Sequence, residues 1–150
     1  MKILVDADSC RVLRKIEKLA KERNIPVFLF SDYNHDLHSN YSQIITVQEG
    51  SDSTDYAVFN MCNSGDLVVT QDAGLASMVL LKGAKVIHPC GKVYSEENID
   101  MVLNLRHLNS LARETRRIHK KKRTSASRKT YNFESAFINL LCCQQTVCAV

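Results

Sequence analysis

Tryptophan is absent from this 150-residue sequence and aromatic residues make up only 7% of it. With few aromatics near its basic run, the chain lacks the platform on which single-strand binders stack bases, so any nucleic acid is expected to be held by its backbone. No apolar run approaches the ~20 residues of a membrane span, and the three apolar residues after Met1-Lys2 do not make a signal peptide. A soluble, cytoplasmic protein is the expectation. The cysteines Cys10, Cys62, Cys90, Cys142, Cys143 and Cys148 show no paired CxxC spacing and mostly lie in apolar segments. They read as reduced structural thiols rather than a disulfide framework. No internal repeat is found.

What is present is enough for a folded domain. A chain of this length with 45% apolar residues buries about 70% of its unfolded surface, which excludes global disorder. The pattern predicts a strand at 2–6, a helix from about 10 to 23 with Val12, Leu13, Ile16, Leu19 and Ala20 on one stripe, and a strand at 26–31 after Pro26 stops the helix. Strands at 43–47, 66–70 and 84–87 follow, with helices at 52–62, 72–81 and from Ser95 to about 116. Strands alternating with helices predict an α/β fold: a three-layer, doubly wound, mainly parallel five-stranded sheet with helices on both faces. This domain spans 1–116. Residues 117–131 read as a basic, mobile linker, and 132–150 as a C-terminal segment whose helix docks on the domain through Phe133, Ala136, Phe137, Leu140 and Leu141.

Acids fall where such a sheet binds its ligands, at the carboxyl ends of strands. The first strand ends in Asp6-Ala-Asp8, Asp55 opens the middle helix, and Asp72 follows Leu67-Val-Val-Thr70. Carboxylates that repel one another are tolerable around a shared cation, and Mg²⁺ and Mn²⁺ prefer oxygen ligands. A divalent-metal site of Asp6, Asp8, Asp55 and Asp72 is the expectation. Charge is also segregated along the chain. Residues 1–112 hold 11 Lys and Arg against 14 Asp and Glu, a net −3, whereas 113–150 hold 9 against 2, a net +7. A basic segment beside an acidic, metal-screened centre suits a phosphodiester substrate, with Lys120, Lys121, Lys122 and Arg123 as the backbone contacts. A solvated tail without a ligand accounts for the same charges.

Val5-Asp6-Ala-Asp8-Ser-Cys10, Asp52-Ser-Thr-Asp55-Tyr, Gly65-Asp66-Leu-Val-Val-Thr70-Gln-Asp72-Ala-Gly-Leu-Ala76, Lys82-Gly83-Ala84, Pro89-Cys-Gly91-x-x-Tyr94 and Asn98-Ile-Asp100 leading to Leu105-Arg106 resemble the bacterial YaiI/YqxD family over almost the whole chain. That family is similar to PIN-like domains, whose metal-dependent nucleases gather acids at the sheet edge. The resemblance implies that Asp6, Asp8, Asp55 and Asp72 hold one or two Mg²⁺ or Mn²⁺ ions, which activate water and stabilise charge on a phosphate. It further implies support from the hydroxyls of Ser9 and Thr70, and a phosphate contact or proton transfer by His35. The chain departs from the family pattern at Ser9-Cys10-Arg11, at Cys90, and at Lys120 to Lys129, which replaces a Gly/Pro-rich segment.

The function expected is therefore a divalent-metal-dependent nuclease acting on RNA or DNA. A second reading is a non-catalytic metal- and nucleic-acid-binding regulatory module. A third is a haloacid-dehalogenase-like phosphatase, suggested by Asp6-Ala-Asp8 but lacking a late pair of acids at a strand end. Asp52 and Asp72 also suit helix capping, and Asp66 reads as a turn residue after Gly65.

Overall fold

A computed structural model describes residues 1–8, 10–32, 37–47, 53–116 and 131–142, leaving aside the side chains of 109 and 111–116. The elements run β1 (Ile3–Asp6), α1 (Leu13–Lys21), β2 (Val27–Asp32), β3 (Gln43–Val47), α2 (Ser53–Met61), β4 (Leu67–Val69), α3 (Ala73–Leu81), β5 (Lys85–Ile87), β6 (Val93–Tyr94), α4 (Glu96–Arg116) and α5 (Phe133–Cys142). They form one sheet in the order β3-β2-β1-β4-β5-β6. The first five strands are parallel, and β6 turns back antiparallel on β5. The predicted α/β architecture is thus present with one strand more than expected. A two-residue strand carries no readable periodicity, so β6 leaves no signal of its own.

Strand order reverses between β1 and β4, and the register there is Leu4 opposite Val68 and Val5 opposite Val69. Because side chains alternate along a strand, Ile3 and Val5 pack on one face with Leu67 and Val69, and Leu4 packs on the other with Val68. The first face is covered by α1 through Ile16 and Ala20 and by α5 through Phe133, Phe137 and Leu141. The second is covered by Val58 of α2, by Leu75, Ala76 and Val79 of α3, and by Ile99 of α4. Central strands buried on both sides have no polar face to show, which explains the continuous apolar runs of β1 and β4.

Local chemistry sets the ends. Helix α1 begins later than predicted, after a turn in which Cys10 N–H donates to the Ala7 carbonyl at 3.2 Å, and Val12 precedes it without a side-chain cap. It stops before Asn24, which takes the left-handed conformation at φ 53° that asparagine tolerates better than most residues. Gly91 sits in the turn between β5 and β6 at φ +96°, and a Cβ there would stand 2.7 Å from the backbone nitrogen of Phe133. Asp66 does more than make a turn. It is 3% exposed, receives the Lys2 ammonium at 2.6 Å and accepts from the backbone N–H groups of Lys2 and Asn63, each at 2.9 Å. This carboxylate joins the beginnings of β1 and β4, and the Lys2 and Asn63 donors hold its pKa low against the opposing effect of burial.

Candidate functional site

One step beyond the paired residues Val5 and Val69 of β1 and β4, Asp6 and Thr70 meet at the carboxyl end of the sheet. Both continue the alternation that sends Leu4 and Val68 toward α2 and α3. The fully buried Thr70 hydroxyl donates to Asp6 Oδ2 at 3.1 Å and accepts the Asp72 backbone N–H at 3.0 Å. One hydroxyl therefore ties the first acid to the residue that starts α3.

Asp72 caps that helix, its Oδ1 accepting from Gly74 N–H at 2.6 Å and Leu75 N–H at 3.3 Å. The absence of a side chain at Gly74 matters, since a Cβ would lie 2.9 Å from that same oxygen. Capping is only part of what Asp72 does. From α4, the Arg106 guanidinium donates to Oδ1 at 2.9 Å and to Oδ2 at 3.0 Å, the two-pronged geometry that arginine makes with a carboxylate. Arg106 holds the Asp72 carboxyl below its ordinary range, and the cap donors act in the same direction. Nothing in the sequence signals that the thirty-fourth residue after Asp72 would supply its counter-ion, although Leu105-Arg106 stands among the motifs of the resemblance.

Asp8 is held at the end of β2, where its Oδ1 accepts the Asp32 backbone N–H at 3.2 Å. Burial pushes the Asp6 carboxyl up; the Thr70 bond opposes this, and the charges of Asp8 and Asp72 add to the rise. Asp6, Asp8 and Asp72 are thus within electrostatic reach of one another. Two clefts flank them. One, of about 540 Å³, runs between α2, α3 and α4 and is lined by Asp55, Tyr56, Phe59, Asp72, Met78 and Arg106 among others. The other, of about 420 Å³, is lined by Ala7, Asp8, Cys10, Arg11 and Gln71. Asp55 therefore shares a cleft with Asp72 and Arg106, while Asp8 shares the other with Arg11. Cys10 is buried and its thiol is pushed up to about 11, chiefly by that burial, which leaves it inert as a nucleophile. Tyr94, beneath the site, is pushed up to about 12 by burial and by nearby negative charge.

The donors are hard oxygens of the kind that Mg²⁺ and Mn²⁺ take. Their arrangement is another matter: among the described residues no three His, Cys, Asp or Glu side chains form a group that would hold a metal ion. At Asp72 the positive charge is supplied by Arg106 instead. With the Arg106 fork on both of its oxygens, Asp72 is not open to a second cation in this arrangement. Ser9, His35, Lys120, Lys121, Lys122 and Arg123 lie outside the described residues, as does nearly all of the predicted linker.

Fold and site define a doubly wound α/β domain with acids converging at its switch point. The chain belongs to the family described as uncharacterized BCR, YaiI/YqxD family, which it matches over residues 4–142. It is similar to a UPF0178 protein of Clostridium acetobutylicum, 45% identical over 146 residues that cover 94% of this chain and 97% of that one. A UPF0178 protein of Lachnoclostridium phytofermentans is 46% identical over 149 residues, with the same coverage. Another, from Natranaerobius thermophilus, is 43% identical over 135 residues, covering 90% of this chain and 92% of its own. No solved structure matches significantly. Among the described residues no helix is long and apolar enough to cross a membrane.

Proposed function

We propose that the protein is a phosphodiester hydrolase of PIN-like type, a nuclease acting on RNA or DNA with Mg²⁺ or Mn²⁺ as cofactor. The observation that carries this reading is the gathering of acids at the switch point of the sheet, where the Thr70 hydroxyl joins Asp6 to the Asp72 backbone and Asp8 is held at the end of β2. Carboxylates packed so that they repel one another are a mark of sites that use a cation. A bound divalent ion would supply activated water and charge stabilisation at phosphate. The chain's own part is positional. Thr70 fixes Asp6 relative to α3, and Arg106 has to leave Asp72 before that carboxylate can take another cation. A freed Arg106 would stand at the mouth of the larger cleft, with a fork suited to a phosphate. The basic run Lys120 to Arg123 would contact the nucleic-acid backbone.

The test is Mn²⁺-dependent cleavage of labelled RNA and DNA by the full chain, by Asp6→Asn and by Asp72→Asn. Loss of cleavage in both variants is the expected result. Cleavage that survives both substitutions removes the assignment. One observation favours a second reading: Arg106 is paired with the Asp72 carboxylate. If the chain binds nucleic acid with a steep salt dependence, loses that dependence when Lys120 to Arg123 become glutamine, and cuts nothing, it is a non-catalytic binding module.

A further inference from the structure

The larger of the two clefts beside the acids has a lining that the hydrolytic chemistry leaves unused. Tyr56 and Phe59 of α2 and Leu75 and Met78 of α3 give it apolar walls, and Asp55, Asp72 and Arg106 give it charge. Leu75 belongs to the core beneath. Phe59 is half-buried and carries the Lys82 ammonium 4.2 Å from the centre of its ring, so one of its faces is taken. Tyr56 is different. Its ring is 68% exposed and stacks on no other ring among the described residues. Met78, in the same cleft, is 41% exposed. A lone exposed tyrosine is ordinary, but one that shares a cleft of about 540 Å³ with a thioether and the candidate acids is placed to receive a flat ligand.

We propose that this cleft is a nucleobase subsite, in which one unpaired base bearing an exocyclic amino group lies against Tyr56 and Met78 and donates to Asp55. The inference rests on the phosphodiester reading above, because Asp72 belongs both to the acid cluster and to this cleft, so a nucleotide held at the acids has its base within reach of the ring. Charge decides which part of the nucleotide enters. Asp55 and Asp72 outnumber Arg106, whose fork is on Asp72, so the interior repels a phosphate and admits a neutral base. The smaller cleft offers Asp8, Cys10, Arg11 and Gln71 but no ring. A carboxylate accepts hydrogen bonds and gives none, so it favours the amino groups of adenine, cytosine and guanine over the carbonyl edges of uracil and thymine. A base stacked and paired in a duplex offers the ring no face, so the subsite takes single strands. Few aromatics stand near the basic run, yet one stands exposed at the candidate site.

The chain has no tryptophan, so Tyr56→Trp in the full chain places a single fluorescent reporter in the cleft. Stopped-flow mixing with Mn²⁺ present reads binding before any cutting. Single-stranded oligocytidylate should quench this tryptophan, whereas an abasic strand of equal length and a mixed-sequence duplex should not. Oligouridylate should bind at least about five-fold more weakly than oligocytidylate, and Asp55→Ala should erase that preference. Without the reporter, Tyr56→Ala should weaken single-strand binding by at least about five-fold while Tyr56→Phe keeps it. Equal quenching by the abasic strand or the duplex, equal affinity for the two homopolymers, or an alanine variant that binds like the parent overturns the subsite. The two readings fail separately. Cleavage by the parent without quenching of the reporter removes the subsite and leaves the nuclease; quenching without cleavage by the parent leaves the subsite and removes the nuclease.

Discussion

Arg106 grips both carboxylate oxygens of Asp72, at 2.9 and 3.0 Å, across a sequence separation of 34 residues. The contact fastens the long helix α4 to the start of α3 at the carboxyl edge of the sheet. Replacing Arg106 by methionine keeps the aliphatic stem and removes the fork. The Asp72 carboxyl should then titrate at higher pH, which side-chain carboxyl NMR would read directly. Because Arg106 is exposed and Asp72 partly so, water screens the pair and folding stability should change by no more than about 1 kcal/mol. An unmoved Asp72 titration would show that the clamp does not persist in solution.

Asp6 sets the opposite pH dependence from Asp66 and Asp72. Its pKa is raised above the ordinary 3.8 by burial and by its acidic neighbours. As pH climbs from 3.8 toward the raised value, the unfolded chain gives up this proton before the folded chain does, so stability falls through that window and stays reduced above it. Asp6→Asn should therefore stabilise the protein at neutral pH, by on the order of 1 kcal/mol as for other relieved functional sites. The gain should vanish at pH below 3.8. Asp66 and Asp72, both lowered, contribute stability that is present above 3.8 and is lost as pH falls through their folded values. Denaturant midpoints for parent and variant, at neutral and acid pH, separate the two behaviours.

Thr70 is the hinge pin of the cluster. Valine has its shape without its hydroxyl, so Thr70→Val leaves Asp6 without its donor and the Asp72 N–H without its acceptor. Desolvated groups left unpaired in this way cost about 1–3 kcal/mol, and Thr70→Ser should recover much of the loss. Since the Thr70 bond lowers Asp6, the Asp6 titration in the valine variant should move further upward. Urea denaturation with NMR titration checks both, and a valine variant as stable as the serine one would refute the bridging role.

Gly91 leaves no room for a side chain. With φ at +96° and the Phe133 backbone against it, Gly91→Ala should cost at least about 1 kcal/mol for the strained conformation alone. The resulting displacement should loosen α5. Amide exchange across residues 133–142 should accelerate in this variant while β1 and β4 remain protected; uniform protection would mean the turn and helix are independent.

The main architecture was legible because both periodicities were clean. Ile3 to Val5 of β1, Val27 to Phe30 of β2 and Leu67 to Val69 of β4 are unbroken apolar runs, and α1 and α5 carry single stripes, which leave little choice between strand and helix. β6 escaped because Val93 and Tyr94 are too few to form a pattern. Asp6 and Asp72 were readable as neighbours, since a doubly wound sheet brings its first and fourth strands together. Arg106 was not, because its meeting with Asp72 depends on the direction in which α4 crosses α3, and local sequence does not encode that angle. Asp66 escaped for a similar reason. Its partner Lys2 is 64 residues away, and a Gly-Asp pair satisfies turn chemistry before any ion pair is considered.

Phe137 is fully buried against the same sheet face as Ile3, Val5 and Val69, yet α5 is the last described element to leave the ribosome. Synthesis runs from the amino end at about 5–20 residues per second, so β1 and β4 are complete well before the helix that covers them exists. During that interval the emerging domain shows an oily sheet surface to the cell. Its vulnerability to capture or aggregation is accordingly greatest just before α5 appears, and a stalled chain lacking α5 would be a substrate for chaperones and proteases rather than a smaller working protein.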